Sequence, residues 1–186
     1  EDNTSVQSGQ GRIGGNAGMI VISDTTPVIS LLKAGCLGLL EKLYGNVLIP
    51  RAVYRELTEN PVYFEEAKII KATKFFSVAA VENVKSVGVL RSVTGLDAGE
   101  SEALIMYDEK NADLLLMDER KGRSVAKQLS VKYIGTAGIL MLAYDKGHIG
   151  QAEVQDCLDA MIASHIRLDK KICNAVMAHI GLDERY

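Results

Sequence analysis

Apolar positions along the chain fall into short runs that alternate with longer stretches of helical spacing. The first run ends at Ile22, and Asp24 follows it closely. Two threonines and Pro27 come next, and proline is well tolerated in the first turn of a helix. The pattern therefore predicts a buried strand over residues 20–22, with a carboxylate held between that strand and a helix.

The same alternation continues through the rest of the chain. Further strands are predicted over residues 47–49, 75–81, 114–117 and 131–134. Helices are predicted over residues 28–32, 37–43, 51–58, 62–71, 96–110, 121–129, 137–146, 151–165 and 168–180. Residues 84–93 show no clear period and are expected only to connect across the sheet. This order favours an α/β fold with a central parallel sheet flanked by helices.

The chain length fits one domain with a sizeable core, since 47% of its 186 residues are hydrophobic. We expect residues 19–186 to form that domain, with residues 151–186 as a C-terminal helical extension. Residues 1–18 are rich in Gly, Ser, Asn and Gln and are expected to be a disordered leader or expression tag, with Met19 as the native start. A native disordered arm is the alternative.

Composition excludes several classes of protein. The net charge of −3 gives no overall attraction to nucleic acid, so such contacts would need a local basic patch or a bound cation. No apolar run reaches the roughly 20 residues that span a membrane. Cys36, Cys157 and Cys173 are scattered without a Cys-x-x-Cys pair, which disfavours a zinc site or a disulfide framework and fits the cytoplasm.

Acidic residues follow two of the predicted strands. Asp24 follows the first strand and Asp118 follows the strand over residues 114–117, and parallel strands end at one edge of a sheet. Glu100 begins a helix that can approach this edge, and Glu56 lies in the helix after Pro50. Clustered carboxylates repel one another unless a cation neutralises them, and oxygen ligands suit Mg²⁺ or Mn²⁺. The pattern indicates phosphoryl chemistry with such an ion.

Each of these acids also has a purely structural interpretation. Asp24 and Asp118 can cap the helices that follow them, and Glu56 can be a solvated helix residue. Asp97 and Glu100 have the spacing of a capping box, which can coexist with metal binding. The lesser candidates for metal ligands are Asp97, Glu102 and Glu119.

Three segments carry a resemblance to a known family. They are IVISDTTPVISLLKAG, LIPRAVYREL and LDAGESEALIMYDEKNADLLLMDERKGRSVAKQL, and together they resemble the PIN-domain superfamily over residues 19–147. They are particularly similar to PIN-like proteins of the DUF3368 type, which are related to VapC-like toxins. The resemblance implies a Rossmann-like PIN fold and a single-strand ribonuclease whose carboxylates hold one or two Mg²⁺ or Mn²⁺ ions.

The resemblance assigns the first three acidic positions. Asp24 matches the first and Glu56 the second. The third is either Glu100 or Glu102, because the usual pattern places an acid directly before alanine, which selects Glu102. The Gly-Glu pair of this branch favours Glu100, and we place Glu100 first.

The fourth acidic position departs from the usual pattern of Thr-x-Asp. Here the strand ends in Met117, Asp118, Glu119 and Arg120, so that Asp118 stands at the threonine position and an arginine replaces the later acid. We expect Asp118 to serve as the fourth catalytic acid and as a metal ligand with Asp24 and Glu100.

The resemblance also implies substrate and partners. Lys121 and Arg123 are candidates for phosphate contacts, although solvated helix charges are as good an interpretation. Thr25 is a candidate to orient Asp24 or a water. The implied partners are an RNA substrate, a small antitoxin protein and a second copy of the chain, with no membrane. The alternative is a catalytically weak or inactive PIN-like module that binds RNA or protein, favoured by the acidic balance and the missing late aspartate.

Overall fold

The computed structural model describes residues 18–186, and strands and helices alternate through that part of the chain. The strands are β1 Val21–Ser23, β2 Val47–Pro50, β3 Phe76–Ala79, β4 Leu114–Leu116 and β5 Tyr133–Ile134. The helices are α1 Thr25–Lys33, α2 Leu39–Tyr44, α3 Arg51–Glu59, α4 Phe64–Ala72, α5 Val84–Thr94, α6 Ala98–Glu109, α7 Arg120–Gln128, α8 Thr136–Asp145, α9 Gln151–Ala163 and α10 Lys170–His179. A short 3₁₀ helix, Pro61–Tyr63, precedes α4.

The five strands form one parallel sheet in the order β3-β2-β1-β4-β5. β1 lies in the middle, where Ile22 pairs with Leu48 of β2 and Ser23 pairs with Leu116 of β4. The chain changes direction across the sheet at β1, and α/β folds of this kind place their sites at the carboxyl ends of the strands beside such a point. The predicted Rossmann-like fold with a central parallel sheet is confirmed.

Two apolar cores cover the two faces of the sheet. Val21 of β1 and Leu116 of β4 belong to one core, and Ile22 and Leu115 belong to the other. This follows from the strand period of two, which sends successive side chains to opposite faces. Because both faces are covered, the central strands β1, β2 and β4 are almost wholly apolar, whereas the edge strand β3 is partly exposed and contains Ser77.

The last two helices pack into the core that contains Val21. Leu158 and Met161 of α9 and Val176 of α10 are fully buried there. Residues 151–186, the expected C-terminal extension, thus share a core with the sheet. The leader expected over residues 1–18 lies outside the described residues, apart from Gly18. Of the helices in residues 18–186, none has the length and apolarity needed to cross a membrane.

Residues 84–93, expected only as a connection, form most of the helix α5, so that expectation was wrong. The helix has clear end signals, because the Asn83 side chain accepts a hydrogen bond from the Ser86 backbone N–H at 3.0 Å and Gly95 ends it with a left-handed φ of 66°. Three of its valines are exposed: Val84, Val89 and Val93. These β-branched residues obscured the helical pattern in the sequence, because they have low helix propensity and do not lie on the buried face of the helix.

Candidate functional site

A cavity of about 310 Å³ lies at the end of the sheet where β1 and β4 terminate. It is lined by Asp24, Thr25, Thr26, Glu56, Gly95, Asp97, Glu100, Glu119 and Lys121. Its walls thus hold five carboxylates and one ammonium group. Like charges at this density destabilise one another unless protons or a cation neutralise them.

Asp24 is the least exposed acid that lines this acidic cavity. It follows β1 directly, and its backbone N–H donates to the Leu116 carbonyl of β4 at 3.0 Å, which fixes its position. The residue is only 4% exposed, and its side chain makes no capping hydrogen bond to α1. Burial raises the pKa of Asp24 to about 8, opposed by the Thr25 backbone N–H and reinforced by neighbouring carboxylates. A helix cap alone does not explain this residue.

Glu100 and Asp97 form the capping box expected at the start of α6. The Asp97 carboxylate accepts from the Glu100 backbone N–H at 2.8 Å, and Oε2 of Glu100 accepts from the Asp97 backbone N–H at 3.0 Å. The other oxygen, Oε1 of Glu100, is buried and has no hydrogen-bond partner among the described residues. Glu100 therefore caps its helix with one oxygen and leaves the second available.

Burial is also the main reason why the pKa of Glu100 is raised. The Asp97 backbone N–H opposes this shift, while the Asp97 and Glu119 carboxylates raise the pKa further and Lys121 lowers it. Asp24 and Glu100 are thus two buried acids whose ionised forms are disfavoured by burial, and Lys121 offsets this only in part at Glu100. Such perturbed acids in a cavity are typical of functional sites.

Thr25 and Glu56 form a pair at the side of the cavity. The Thr25 hydroxyl donates to Oε2 of Glu56 at 2.7 Å, and Thr25 itself is buried. This bond fixes the Glu56 side chain across the gap between α1 and α3. The hydroxyl therefore orients Glu56 in this structure, rather than the Asp24 carboxylate that the sequence suggested.

The two acids after β4 lie in different places. The Asp118 carboxylate accepts hydrogen bonds from the backbone N–H of Thr136, at 2.8 Å, and from its hydroxyl. Asp118 lines a neighbouring cavity, whereas Glu119 lines the acidic one. The structure thus holds the carboxylate of Asp118, which was expected among the metal ligands, against the first residue of α8, and it is Glu119 that lines the acidic cavity.

The strand period explains this exchange. Asp24 lies two residues after Ile22, and Glu119 lies two residues after Met117, and both of these apolar residues belong to the same core. Asp118 follows Leu116 by two residues and so shares the opposite face. Sequence alone does not select Glu119 by this count, because Asp118 and Glu119 lie beyond the end of β4 and the relation to Asp24 depends on the register of β1 and β4.

Glu102, the alternative third acid, lies away from the acidic cavity. Its carboxylate accepts from the Ala52 backbone N–H at 2.9 Å, near the start of α3, and it lines a separate cavity beside Arg51. Of the two candidates, Glu100 is the one that lines the acidic cavity.

The two candidate substrate contacts are also separated. Lys121 lines the acidic cavity, where its Nζ donates to the Gly95 carbonyl at 2.7 Å. Arg123 lines the neighbouring cavity together with Asp118. Thr26 lies on both cavities and joins them.

Two glycines that sequence reasoning did not select keep space open around the acids. A Cβ at Gly99 would lie 3.2 Å from Cγ2 of Val53 and 3.4 Å from Oδ1 of Asp24. A Cβ at Gly122 would lie 2.5 Å from Sδ of Met117 and 3.0 Å from Oε1 of Glu100. The only sequence signal for either was its place directly before or after a charged residue of the motif.

The donors fit a hard divalent cation in chemistry. All the charged acceptors in the cavity are carboxylate oxygens, which Mg²⁺ and Mn²⁺ prefer, and the buried Oε1 of Glu100 has no hydrogen-bond partner in the part of the chain that the structure describes. Within residues 18–186, no three His, Cys, Asp or Glu side chains already converge closely enough to hold a metal ion. The acids of the cavity would therefore have to draw together around an ion.

Comparison with known proteins identifies the family. Residues 20–182 match the family DUF3368, described as a PIN domain, and the chain belongs to it. Neither the curated proteins nor the solved structures gave a match. PIN domains are generally nucleases, so membership indicates a nuclease-type function for this chain.

Proposed function

We propose that this protein is a Mg²⁺- or Mn²⁺-dependent endoribonuclease that hydrolyses phosphodiester bonds of single-stranded RNA. The observation that supports it most is the pair of buried acids, Asp24 and Glu100, the second of which has an oxygen without a hydrogen-bond partner in residues 18–186. A fold needs no such pair for stability, because burying uncompensated carboxylates costs free energy. Family membership supports the nuclease class, and the resemblance of the sequence supports RNA.

We propose Asp24, Glu100 and Glu119 as the metal ligands. Glu56 and Asp97 would attract the ion by their charge or contact it through a bridging water. A bound Mg²⁺ or Mn²⁺ supplies charge neutralisation for the phosphate and lowers the pKa of a water. In this proposal Asp118, expected from the sequence among the ligands and catalytic acids, instead has the structural role of connecting β4 to α8.

Other residues of the chain prepare this site. Oε2 of Glu100 is held by the Asp97 backbone, which leaves Oε1 without a hydrogen-bond partner among the described residues and next to the space kept open by Gly122. The Thr25 hydroxyl prevents Glu56 from rotating away. Lys121, tethered to the Gly95 carbonyl, brings one positive charge to the cavity and can bind a phosphate oxygen. Because these groups are already held in place, less conformational entropy is lost when the substrate binds.

The test compares three substitutions in a cleavage assay with unstructured RNA and Mn²⁺. Asp24→Asn and Glu100→Gln preserve side-chain shape, and the amide carbonyl introduced by Glu100→Gln can still accept the capping bond from Asp97. Each of the two should lower kcat/KM on the order of 100-fold. Glu102→Gln is the matched control, since it removes the same charge from α6 outside the cavity and should retain activity. Undiminished cleavage by the Asp24 variant would refute the proposal.

The second candidate is a PIN-like module that binds RNA or protein without cleaving it. The observation that favours it is the absence, among the described residues, of three acids already converged on a metal position. Mn²⁺ titration separates the two candidates, because the nuclease requires the acids to close around an ion. Absence of binding at millimolar Mn²⁺ would support the module.

We further propose that the nuclease acts in the cytoplasm as the toxin of a toxin–antitoxin pair, as a homodimer that a small antitoxin inhibits. The resemblance to VapC-like toxins supports this, and the nuclease class is compatible with it. Induced expression of the wild type, but not of the Asp24→Asn variant, should then arrest growth. Unimpaired growth with active, expressed enzyme would count against a toxin.

A further inference from the structure

A second cavity lies beside the acidic one and has a different character. Its volume is about 420 Å³, within the range of about 300–1,000 Å³ that is usual for small-molecule sites. Thr26 borders both cavities. Two arginines, Arg123 of α7 and Arg167 of the segment between α9 and α10, line it.

Both acids that line this cavity already accept hydrogen bonds from other residues of the protein. Asp118 accepts both hydrogen bonds from Thr136, and Oδ1 of Asp169 accepts from the Lys171 backbone N–H at 2.8 Å at the start of α10. Within residues 18–186, neither Arg123 nor Arg167 lies within ion-pair distance of a carboxylate. The cavity therefore offers two guanidinium groups to an anion, although its formal charge is balanced.

The backbone around Arg167 presents this residue to the cavity. The chain turns at His165, where φ is 57°, and the Ile166 N–H donates to the Met161 carbonyl at 3.0 Å. Ile166 and Leu168 on either side are half-buried against the core, while Arg167 is exposed. The alternation fixes the segment by its apolar residues and leaves the guanidinium at the surface.

The remaining lining suits a nucleotide. Ile166, Leu168 and Ile172 provide an apolar wall, and Thr26 and Ser30 of α1 add hydroxyl groups. Planar guanidinium groups bind phosphate oxygens with two donors at once, and they also stack on bases. A phosphate and an attached base are therefore the ligand chemistry that the cavity matches.

We propose that this cavity, lined by Arg123 and Arg167, binds the nucleotide next to the cleaved phosphodiester. The RNA strand then passes over Thr26 from the acidic cavity into the arginine cavity. The inference rests on the proposed nuclease function and deepens it, because it assigns a substrate-binding role to the segment between α9 and α10. A free mononucleotide is the other source of the same chemistry.

The experiment measures cleavage of a uridine-rich decamer and of bis(4-nitrophenyl) phosphate, a phosphodiester without a nucleotide, by the wild type and by Arg167→Ala. The substitution should raise KM for the decamer about fivefold, as for one exposed charge contact, with kcat and the cleavage of bis(4-nitrophenyl) phosphate little affected. Arg123→Ala should act in the same direction. Arg185→Ala is the charge-matched control, because Arg185 pairs with Asp159 and does not line the cavity.

A binding measurement checks the same inference without catalysis. In the Asp24→Asn background, Arg167→Ala should reduce the salt dependence of decamer binding by about 0.7 in the slope of log K against log salt. Arg167→Lys should restore the slope but only part of the affinity. Uridine monophosphate that binds as tightly as the decamer would overturn the strand assignment in favour of a free nucleotide.

The outcomes separate this inference from the proposed function. If cleavage depends on Asp24 but the Arg167 and Arg185 variants behave alike on the decamer, the inference is wrong and the nuclease stands. If the wild type neither cleaves nor binds single-stranded RNA, the inference falls together with the proposed function. A lowered melting temperature for Arg167→Ala with unchanged RNA binding would show a purely structural role.

Discussion

At the scale of single residues, Asp24 links the chemistry of the site to the stability of the protein. Burial raises its pKa from the ordinary value of 3.8 to about 8, so the native protein retains a proton that the unfolded chain has lost. Stability falls with pH wherever the native state binds more protons. The metal-free protein should therefore lose stability as pH rises from about 4 to about 8.

The Asp24→Asn substitution tests whether Asp24 causes this fall of stability with rising pH. The variant cannot ionise, so in EDTA it should be more stable than the wild type at pH 8, on the order of 2–5 kcal/mol, with a much smaller gain at pH 5. Urea unfolding at both values measures the difference. The exposed Asp108→Asn should show no such dependence. A gain for the Asp24 variant that is equal at both pH values would contradict the assignment.

At the scale of secondary-structure elements, Asp118 and Glu119 make different contacts although they are neighbours. Asp118 connects β4 to α8 through its two bonds from Thr136. A Cβ at Gly135 would lie 2.6 Å from Oδ1 of Asp118, so the tight approach of these elements depends on glycine there. Glu119 makes no capping hydrogen bond to α7 and lines the acidic cavity.

Paired substitutions should separate support from ligation. Asp118→Ala should lower stability by about 1–2 kcal/mol, because it leaves the first N–H of α8 without its acceptor. Glu119→Gln should leave the stability of the metal-free protein nearly unchanged and weaken Mn²⁺ binding about 10- to 100-fold. Chemical unfolding in EDTA and Mn²⁺ titration measure the two effects. The reverse result would return Asp118 to the ligand set.

The same elements show how far sequence reasoning reaches. Strands such as β2 and β4 were predicted to within one residue, because a short apolar run closed by Pro50 or by an acid has few other interpretations. The acids of the cavity were also found, including Glu100. The direction in which a side chain points at a strand end could not be predicted, because it depends on the register with the neighbouring strand.

Contacts that span the sequence were likewise beyond prediction. The bond from Thr25 to Glu56 joins residues that are far apart in the chain, and so does the bond from Thr136 to Asp118. Arg167 belongs to a segment without a motif, and only the packing of α9 and α10 brings it near α7. No local pattern encodes such proximity, because the fold as a whole determines it.

At the scale of the whole molecule, the acidic cavity lies beside β1, where the chain changes direction across the sheet. Asp24 directly follows β1, Glu56 lies in α3, Glu100 lies in α6 and Glu119 directly precedes α7. Their mutual repulsion in the metal-free state acts against the packing of these elements. A bound divalent cation would convert that repulsion into attraction and so stabilise the entire domain rather than one helix.

Mn²⁺ should therefore raise the global stability of the wild type. A ligand at 100 times its Kd stabilises the native state by about 2.7 kcal/mol, which corresponds to roughly 5–11 °C in Tm for a domain of this size. Calorimetry with and without Mn²⁺ measures the shift, and Ca²⁺ tests whether the site demands a small ion. Asp24→Asn should lose most of the shift, whereas Glu102→Gln should keep it, because its carboxylate lines a different cavity. Equal shifts in the wild type and the Asp24 variant would mean that the ion binds elsewhere.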